Sequence, residues 1–343
     1  MFDRIEHARI SELHFKSDAQ SQLKAIIAIH NTKLGPALGG CRCIEYQADD
    51  DAIDDVIRLA KGMSYKAALA KVPQGGGKAV ILKPKTPFNR SDLYRAFGKF
   101  VNELGGRYIT AVDSGTNLAD MDDVGKVTPY VSGSQSDGLD PSPNTALGVL
   151  AGIKAAATHR YGSSKLDGLT VAIQGIGNVG FSLASLLFNE GARLLVSDID
   201  KHKVQQARNA FHAEPVEPEQ YCSTHCHILA PCGLGGIVND QSIESIDCDI
   251  IAGSANNQLA TERHGQILHS KGILYAPDYI INAGGLIQVS LGNLHASQSE
   301  ITNKTWGIGE TLLEIFNRAK TENLPPSEVA DHLAEEILYG TGH

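Results

Sequence analysis

Two lysines, an aspartate and a run of glycines carry the first chemical signal in this chain. Lys66 follows Met63, Ser64 and Tyr65, and further on Gly75, Gly76 and Gly77 run directly into Lys78. Successive glycines imply a close approach to the backbone, because only a residue without Cβ leaves the room. The run resembles a phosphate loop, but no Ser or Thr follows the lysine, and a strand rather than a helix comes next. Two solvated lysines beside a turn account for Lys66 but leave the glycines unexplained. Asp113, in Val-Asp-Ser-Gly-Thr, closes an apolar run. Active sites of open α/β sheets gather at strand ends. An Asp before Ser-Gly also starts Asx-turns, and that use alone would explain it.

A second signal is Gly175-Ile176-Gly177-Asn178-Val179-Gly180, set between an apolar strand pattern and a helical one. In this order Gly175 makes a tight turn, Gly177 admits a pyrophosphate to the backbone, and Gly180 lets helix and strand pack closely. The helix N-terminus, at Asn178 and Val179, then offers free N–H groups to phosphate. Asp198 ends the next apolar run and would hold the adenosine ribose hydroxyls while repelling a 2′-phosphate. NAD is therefore the expected cofactor. Asp200 is the alternative ribose partner if the strand ends two residues later.

The elements that must position these residues can be read from periodicity. Strands are expected at 22–30, 79–83 and 107–113. Helices are expected at 50–70, with Ile53, Val56, Ile57 and Ala60 on one face, and at 91–106, with Ser91 as N-cap and a glycine stop. The Gly/Ser/Asp/Pro stretch 132–143 reads as a linker. Beyond it, helix 143–162, strand 169–175, helix 178–191, strand 192–198 and helix 201–211 alternate. Apolar runs follow at 226–231, 248–252 and 272–276. This alternation predicts a doubly wound parallel sheet. The residues 306–343 read as two amphipathic helices.

Composition limits the function classes. With 343 residues, two domains are expected. Asp and Glu (39) outnumber Lys and Arg (30), and no basic block stands out, so a nucleic-acid partner is not expected. No apolar run reaches membrane-spanning length, so no membrane role is expected. The opening residues carry charges of both signs without an apolar core, which predicts no secretory leader and a cytoplasmic location. The six cysteines then read as reduced thiols. The cluster Cys222, His225, Cys226, His227 with Cys232 beyond could suggest a metal or haem site. The spacing fits better with a loop running into a buried strand, so no metal is expected.

Taken together, these segments resemble the Glu/Leu/Phe/Val amino-acid dehydrogenase superfamily, on its leucine/phenylalanine/valine side. The resemblance rests on residues 34–42, 58–81, 105–117, 141–149, 172–180, 229–239, 250–259 and 275–287, and covers nearly the whole chain. It implies an α/β fold of two domains with a cleft. Residues 1–138 would form a substrate-binding and oligomerisation domain, and 139–319 an NAD-binding Rossmann-type domain. The C-terminal helices, from about 320, would pack back near the first domain.

The implied reaction is reversible oxidative deamination of an apolar L-amino acid to its 2-oxo acid and ammonia, by a homo-oligomer. Carried over by position, Lys78 and Asp113 would be catalytic, and Lys66 would bind the substrate carboxylate. Gly39, Leu38, Ala111, Leu286 and Val289 would line the substrate pocket. Thr145, Asn256 and Asn282 would join the glycine turn and Asp198 in holding NAD. Ala111 implies a short pocket suited to leucine, valine and isoleucine, whereas Leu286 matches phenylalanine-type members, so an aromatic substrate is the alternative. A catalytically inactive NAD or amino-acid sensor would have no need of Lys66, Lys78 and Asp113. Ser114 departs from the apolar residue that many relatives place after the aspartate.

Overall fold

Near-continuous runs of small and β-branched residues in the N-terminal half, buried on both faces, build a mixed sheet. The computed structural model describes residues 2–133 and 140–340. They form two units, Met1–Asp140 with Val289–Leu294 and Ala334–His343, and Pro141–Gln288 with His295–Leu333. The expected boundary at 138/139 and half of the expected linker lie outside the described residues.

In the first unit the strands are β1 (Glu12–Asp18), β2 (Leu23–Asn31), β3 (Ala37–Ile44), β4 (Gly75–Leu82) and β5 (Tyr108–Val112), in the order β1-β2-β4-β3-β5. β2 is antiparallel to β1 and β4, while β3 is parallel to both β4 and β5. Side chains on a strand alternate between faces. One face, with Ile27, Ile29, Cys41, Cys43, Ala79 and Ile81, packs on Leu93, Phe97 and Val101 of α3 (Arg90–Glu103) and on Met121 and Val124 of α4 (Leu118–Gly125). The other face, with Ile26, Ala28 and Val80, packs on Ala52, Ile53, Val56, Ile57 and Ala60 of α2 (Asp49–Leu69). A short α1 (Phe2–His7) precedes them and packs Ile5 against this second layer.

Two expectations are corrected here. The strand predicted to start at Ala79 begins at Gly75, so the glycine run and Lys78 are strand, not turn. Neighbouring chain crowds that stretch on both sides, and glycine is a strand residue there because nothing larger fits. The helix predicted from Ser91 begins one residue earlier, capped by Asn89, whose side chain accepts from the Asp92 N–H.

The second unit holds β6 (Thr170–Gln174), β7 (Arg193–Ser197), β8 (Glu214–Pro215), β9 (Cys226–Pro231), β10 (Cys248–Ile251) and β11 (Leu274–Tyr275), in the order β11-β10-β9-β6-β7-β8. All pairings are parallel. Numbered within the unit, this is the 3-2-1-4-5-6 order of a dinucleotide-binding sheet, whose ligand crevice lies where the strand order reverses, between β6 and β9. The helices are α5 (Ser142–Tyr161), α6 (Asn178–Asn189), α7 (Lys201–Phe211), α8 (Glu262–Ser270) and α9 (Asp278–Ile281), then α10 (Gly284–Asn293), whose residues from Val289 belong to the first unit, α11 (Gln298–Glu322) and α12 (Pro326–Tyr339). α11 starts well before the expected residue 306 because Ser297 and Glu300 make a reciprocal capping box.

The end of α12 belongs to the first unit. There Lys33 Nζ donates to the Ile337 carbonyl at 3.0 Å, Tyr339 OH meets His30 Nε2 at 3.1 Å, and Tyr65 OH donates to Glu335.

Candidate active site

Strand alternation gathers the chemistry of the first unit on one face. Lys78 on β4 lies two residues before Val80, so it points to the layer covered by α2. Gly40 and Arg42 on β3 share that face, because Cys41 and Cys43 face the other way. Leu38 follows the same alternation. Ala111 is paired with Gly40 across the β3–β5 ladder, and Leu38 with Ile109. Asp113 follows the end of β5, and α2 contributes Lys66 and Asp55.

The Lys78 ammonium is buried against the Asp113 carboxylate, with side chains only 7% and 18% exposed. Arg42 stands on the other side of Asp113, with Nε 3.8 Å from Asp113 Oδ1. Arg42 is itself held by Asp55, Nη1 to Oδ2 at 2.9 Å. Asp55 also accepts from Tyr46 OH and from Arg58, both at 2.8 Å. Burial, reinforced by the Arg42 guanidinium, pushes the Lys78 ammonium down to about 7. Lys66 pushes the same way, whereas Cys41 and Asp55 oppose it. Burial would raise the Asp55 carboxyl, yet Tyr46 and the two guanidiniums bring it below its usual value. An amine poised near neutrality beside a carboxylate can take and return protons at physiological pH.

The glycines make this arrangement possible. A Cβ on Gly39 would lie 1.8 Å from the Gly77 carbonyl oxygen. One on Gly76 would lie 2.0 Å from the Ser64 nitrogen, on the helix that carries Lys66. One on Gly40 would come within 2.8 Å of Asp113 Cβ. Glycine here brings β3, β4 and α2 close enough for their charged side chains to meet. The Asp113 turn is fixed by Thr116, whose Oγ1 accepts from the Asp113 N–H at 2.9 Å and lies 3.1 Å from the Cys41 carbonyl. Sequence reasoning did not single out Arg42, Asp55, Tyr46 or Thr116. The period-2 pattern of β3 around Arg42 was the one available signal.

In the second unit the glycine turn lies between β6 and α6. Gly175 has φ +88°, a conformation that favours glycine, and a Cβ on Gly180 would lie 1.9 Å from the Gly175 carbonyl oxygen. A Cβ on Gly177 would meet nothing within 4 Å, so open space lies over that backbone. α6 starts at Asn178, so the N–H groups of Asn178, Val179 and Gly180 open the helix without carbonyl partners inside it. These are the features that an anionic pyrophosphate needs. Asp198 Oδ2 accepts from the Ile176 N–H at 2.7 Å, and its Oδ1 accepts from the Asp200 N–H at 2.8 Å. Its charge is thereby fixed beside the glycine turn. Asp200 instead caps α7, accepting from the His202 N–H at 2.9 Å.

Asn282 is buried and donates to Asn256 Oδ1 at 2.7 Å and to the Ser254 carbonyl at 3.1 Å. Thr145 Oγ1 donates to the Pro141 carbonyl at 2.9 Å. Leu286, 9% exposed, and Val289 are three residues apart on α10. The cysteine cluster is used by the strand: Cys226 is buried at the start of β9, and His227 Nδ1 accepts from the Thr170 N–H at 3.0 Å. Among the described residues no group of three His, Cys, Asp or Glu side chains is placed to hold a metal. Nor, among them, is any helix long and apolar enough to cross a membrane.

Comparison with known proteins gives the same frame. Residues 7–129 match the Glu/Leu/Phe/Val dehydrogenase dimerisation domain, and residues 196–323 match the Glutamate/Leucine/Phenylalanine/Valine dehydrogenase domain. The chain is 46% identical over 342 residues to the leucine dehydrogenase of Thermoactinomyces intermedius, covering 98% of this chain and 93% of that protein. It is 43% identical over 340 residues to the L-tryptophan dehydrogenase of Nostoc punctiforme, covering 98% and 96%. The crystal structure of L-tryptophan dehydrogenase from Nostoc punctiforme matches with a TM-score of 0.90 at 42% identity, over 98% of each chain. With a buried lysine–aspartate pair in one unit and a Rossmann-type sheet in the other, the chain belongs to the Glu/Leu/Phe/Val dehydrogenase family of amino-acid dehydrogenases.

Proposed function

We propose that this chain catalyses NAD-dependent, reversible oxidative deamination of an apolar L-amino acid, with leucine, valine and isoleucine as first substrates. The observation that carries the reading is Lys78, buried against Asp113 and held near neutrality. The balanced reaction takes the amino acid, NAD and water to the 2-oxo acid, ammonium, NADH and a proton. When bound, NAD would supply the acceptor for the hydride that leaves the substrate Cα. Lys66 binds the substrate carboxylate. Neutral Lys78 takes a proton from the water that attacks the resulting iminium carbon. In its charged form it stabilises the oxygen anion that develops there. Asp113 moves protons to and from the substrate nitrogen.

The glycine turn, with Asn178 and Val179 at the start of α6, would hold the pyrophosphate. Asp198 would favour NAD over NADP by placing a negative charge where a 2′-phosphate would lie. Thr145, Asn256 and Asn282 would contact the nicotinamide half. The dimerisation-domain match and the outer strand β1, with Phe15 half exposed, support a homo-oligomer. The six free cysteines fit a cytoplasmic location. An aromatic substrate is the second reading, favoured by the similarity to L-tryptophan dehydrogenase.

The test is NADH formation at alkaline pH over all twenty L-amino acids, with NAD and then NADP, in wild type and Lys78→Ala. We expect NAD-linked oxidation of branched-chain substrates, and kcat lower by at least ~10²-fold in the variant. NAD binding, measured directly, should be unchanged in the variant. Wild-type turnover by Lys78→Ala would remove the proposed chemistry. A clear preference for phenylalanine or tryptophan would install the second reading.

A further inference from the structure

Arg42 makes a contact that the relay described above does not use. Its Nη1 is fixed to Asp55 at 2.9 Å, but its Nε is buried without a hydrogen-bond partner. That Nε lies 3.8 Å from Asp113 Oδ1, while the other Asp113 oxygen is in contact with Lys78. An unpaired buried N–H is costly, so its place beside a carboxylate oxygen that otherwise accepts only from the Ser114 backbone N–H asks for a use. A carboxylate that serves a lysine and a substrate nitrogen in turn must leave the lysine without losing its counter-charge.

We propose that Arg42, anchored to α2 by Asp55, is the positioning residue of the Lys78–Asp113 pair and gives Asp113 a second cationic seat when it turns away from Lys78. The proposal rests on the relay reading given above. Arg42 itself touches no reacting atom. Its anchor is built for rigidity, because Asp55 is held at both oxygens, by Tyr46 and Arg42 on one and by Arg58 on the other. The charged or titratable groups around Lys78 are Asp113 after β5, Arg42 and the Cys41 thiol on β3, and Asp55 and Lys66 on α2. Within that set Arg42 and Asp55 act on Lys78 with opposite sign. The arginine disfavours the ammonium and the aspartate favours it.

This sign difference supplies the test. The Lys78 titration midpoint is read by NMR from protein enriched in carbon isotope at lysine Cε, with the signal assigned by its loss in Lys78→Arg. The readout needs no turnover. Arg42→Met should raise the midpoint by about one pH unit, and Asp55→Asn should lower it. Arg42→Lys should keep it near the wild-type value. In steady-state deamination Arg42→Met should lower kcat at least ~10-fold with little change in KM, and Arg42→Lys should recover most of the loss. If Arg42→Met does not fold, the downward shift in Asp55→Asn still decides. Unmoved midpoints, shifts of the same sign, or a loss confined to KM overturn the proposal while leaving the relay reading intact. Wild-type turnover by Lys78→Ala overturns that reading and this proposal with it.

Discussion

Lys78 is set by influences that pull against each other. Burial and Arg42 disfavour its ammonium, whereas Cys41 and Asp55 favour it. The balance leaves an amine that changes charge near neutral pH, which neither an exposed lysine nor a fully paired one would do. Specificity is set at the same scale. Ala111 lies on the Lys78 face of the sheet, beside Gly40 across the ladder. If its methyl limits the pocket, Ala111→Gly should shift the kcat/KM ratio of phenylalanine to leucine about tenfold toward phenylalanine, since one methyl group is worth roughly 1 kcal/mol. An unchanged ratio would mean that this methyl does not meet the substrate side chain.

Among the elements, β3, β4 and α2 depend on glycine for their spacing, and this dependence is position-specific. Gly62 lies on the exposed side of α2, and a Cβ there meets nothing within 4 Å. Gly62→Ala should therefore stabilise the protein by up to ~1 kcal/mol, by restricting the unfolded chain and favouring helix. Gly39→Ala places a methyl 1.8 Å from the Gly77 carbonyl oxygen. That oxygen belongs to the backbone of β4, so relief requires the strands to separate. A loss of about 3 kcal/mol or more is expected. Urea unfolding of both variants beside wild type checks the pair, and equal midpoints would contradict the close-approach argument. Element ends were less legible than element identity. The local pattern Ser-Asp-Leu points to Ser91 as a cap, whereas Asn89 takes the role because its side chain reaches the Asp92 N–H.

At the scale of the whole chain, the last turns of α12 return to the unit that begins at the N-terminus. Tyr339 joins this unit through His30, a buried imidazole that burial keeps neutral, with its pKa down at about 4. Arg9 lies over the Tyr339 ring, 4.6 Å from its centroid. Tyr339→Phe keeps the ring and removes only the hydroxyl. It should cost about 1 kcal/mol, seen as a lower thermal midpoint, with kcat within about twofold of wild type. An unchanged midpoint would show that the hydroxyl contributes nothing to this attachment.

The sequence by itself did not mark β1, β3 or α4, but it determined the strand–helix alternation of the second unit, the glycine turn with its following acid, and the identity of Lys66, Lys78 and Asp113 as chemical candidates. These are local properties: a period of two or 3.6, a cap, a glycine spacing. The tertiary structure alone decided that Gly75 to Gly77 are strand, because crowding from Asn31 on β2, Ser64 on α2 and Tyr108 on β5 makes glycine necessary there. It alone assembled Arg42, Asp55, Tyr46 and Thr116 around the lysine–aspartate pair. Those contacts join β3, α2, the chain between them and the turn after β5. Their residue types are ordinary on any surface, and only the folded sheet brings them together around a charge that it has taken out of water.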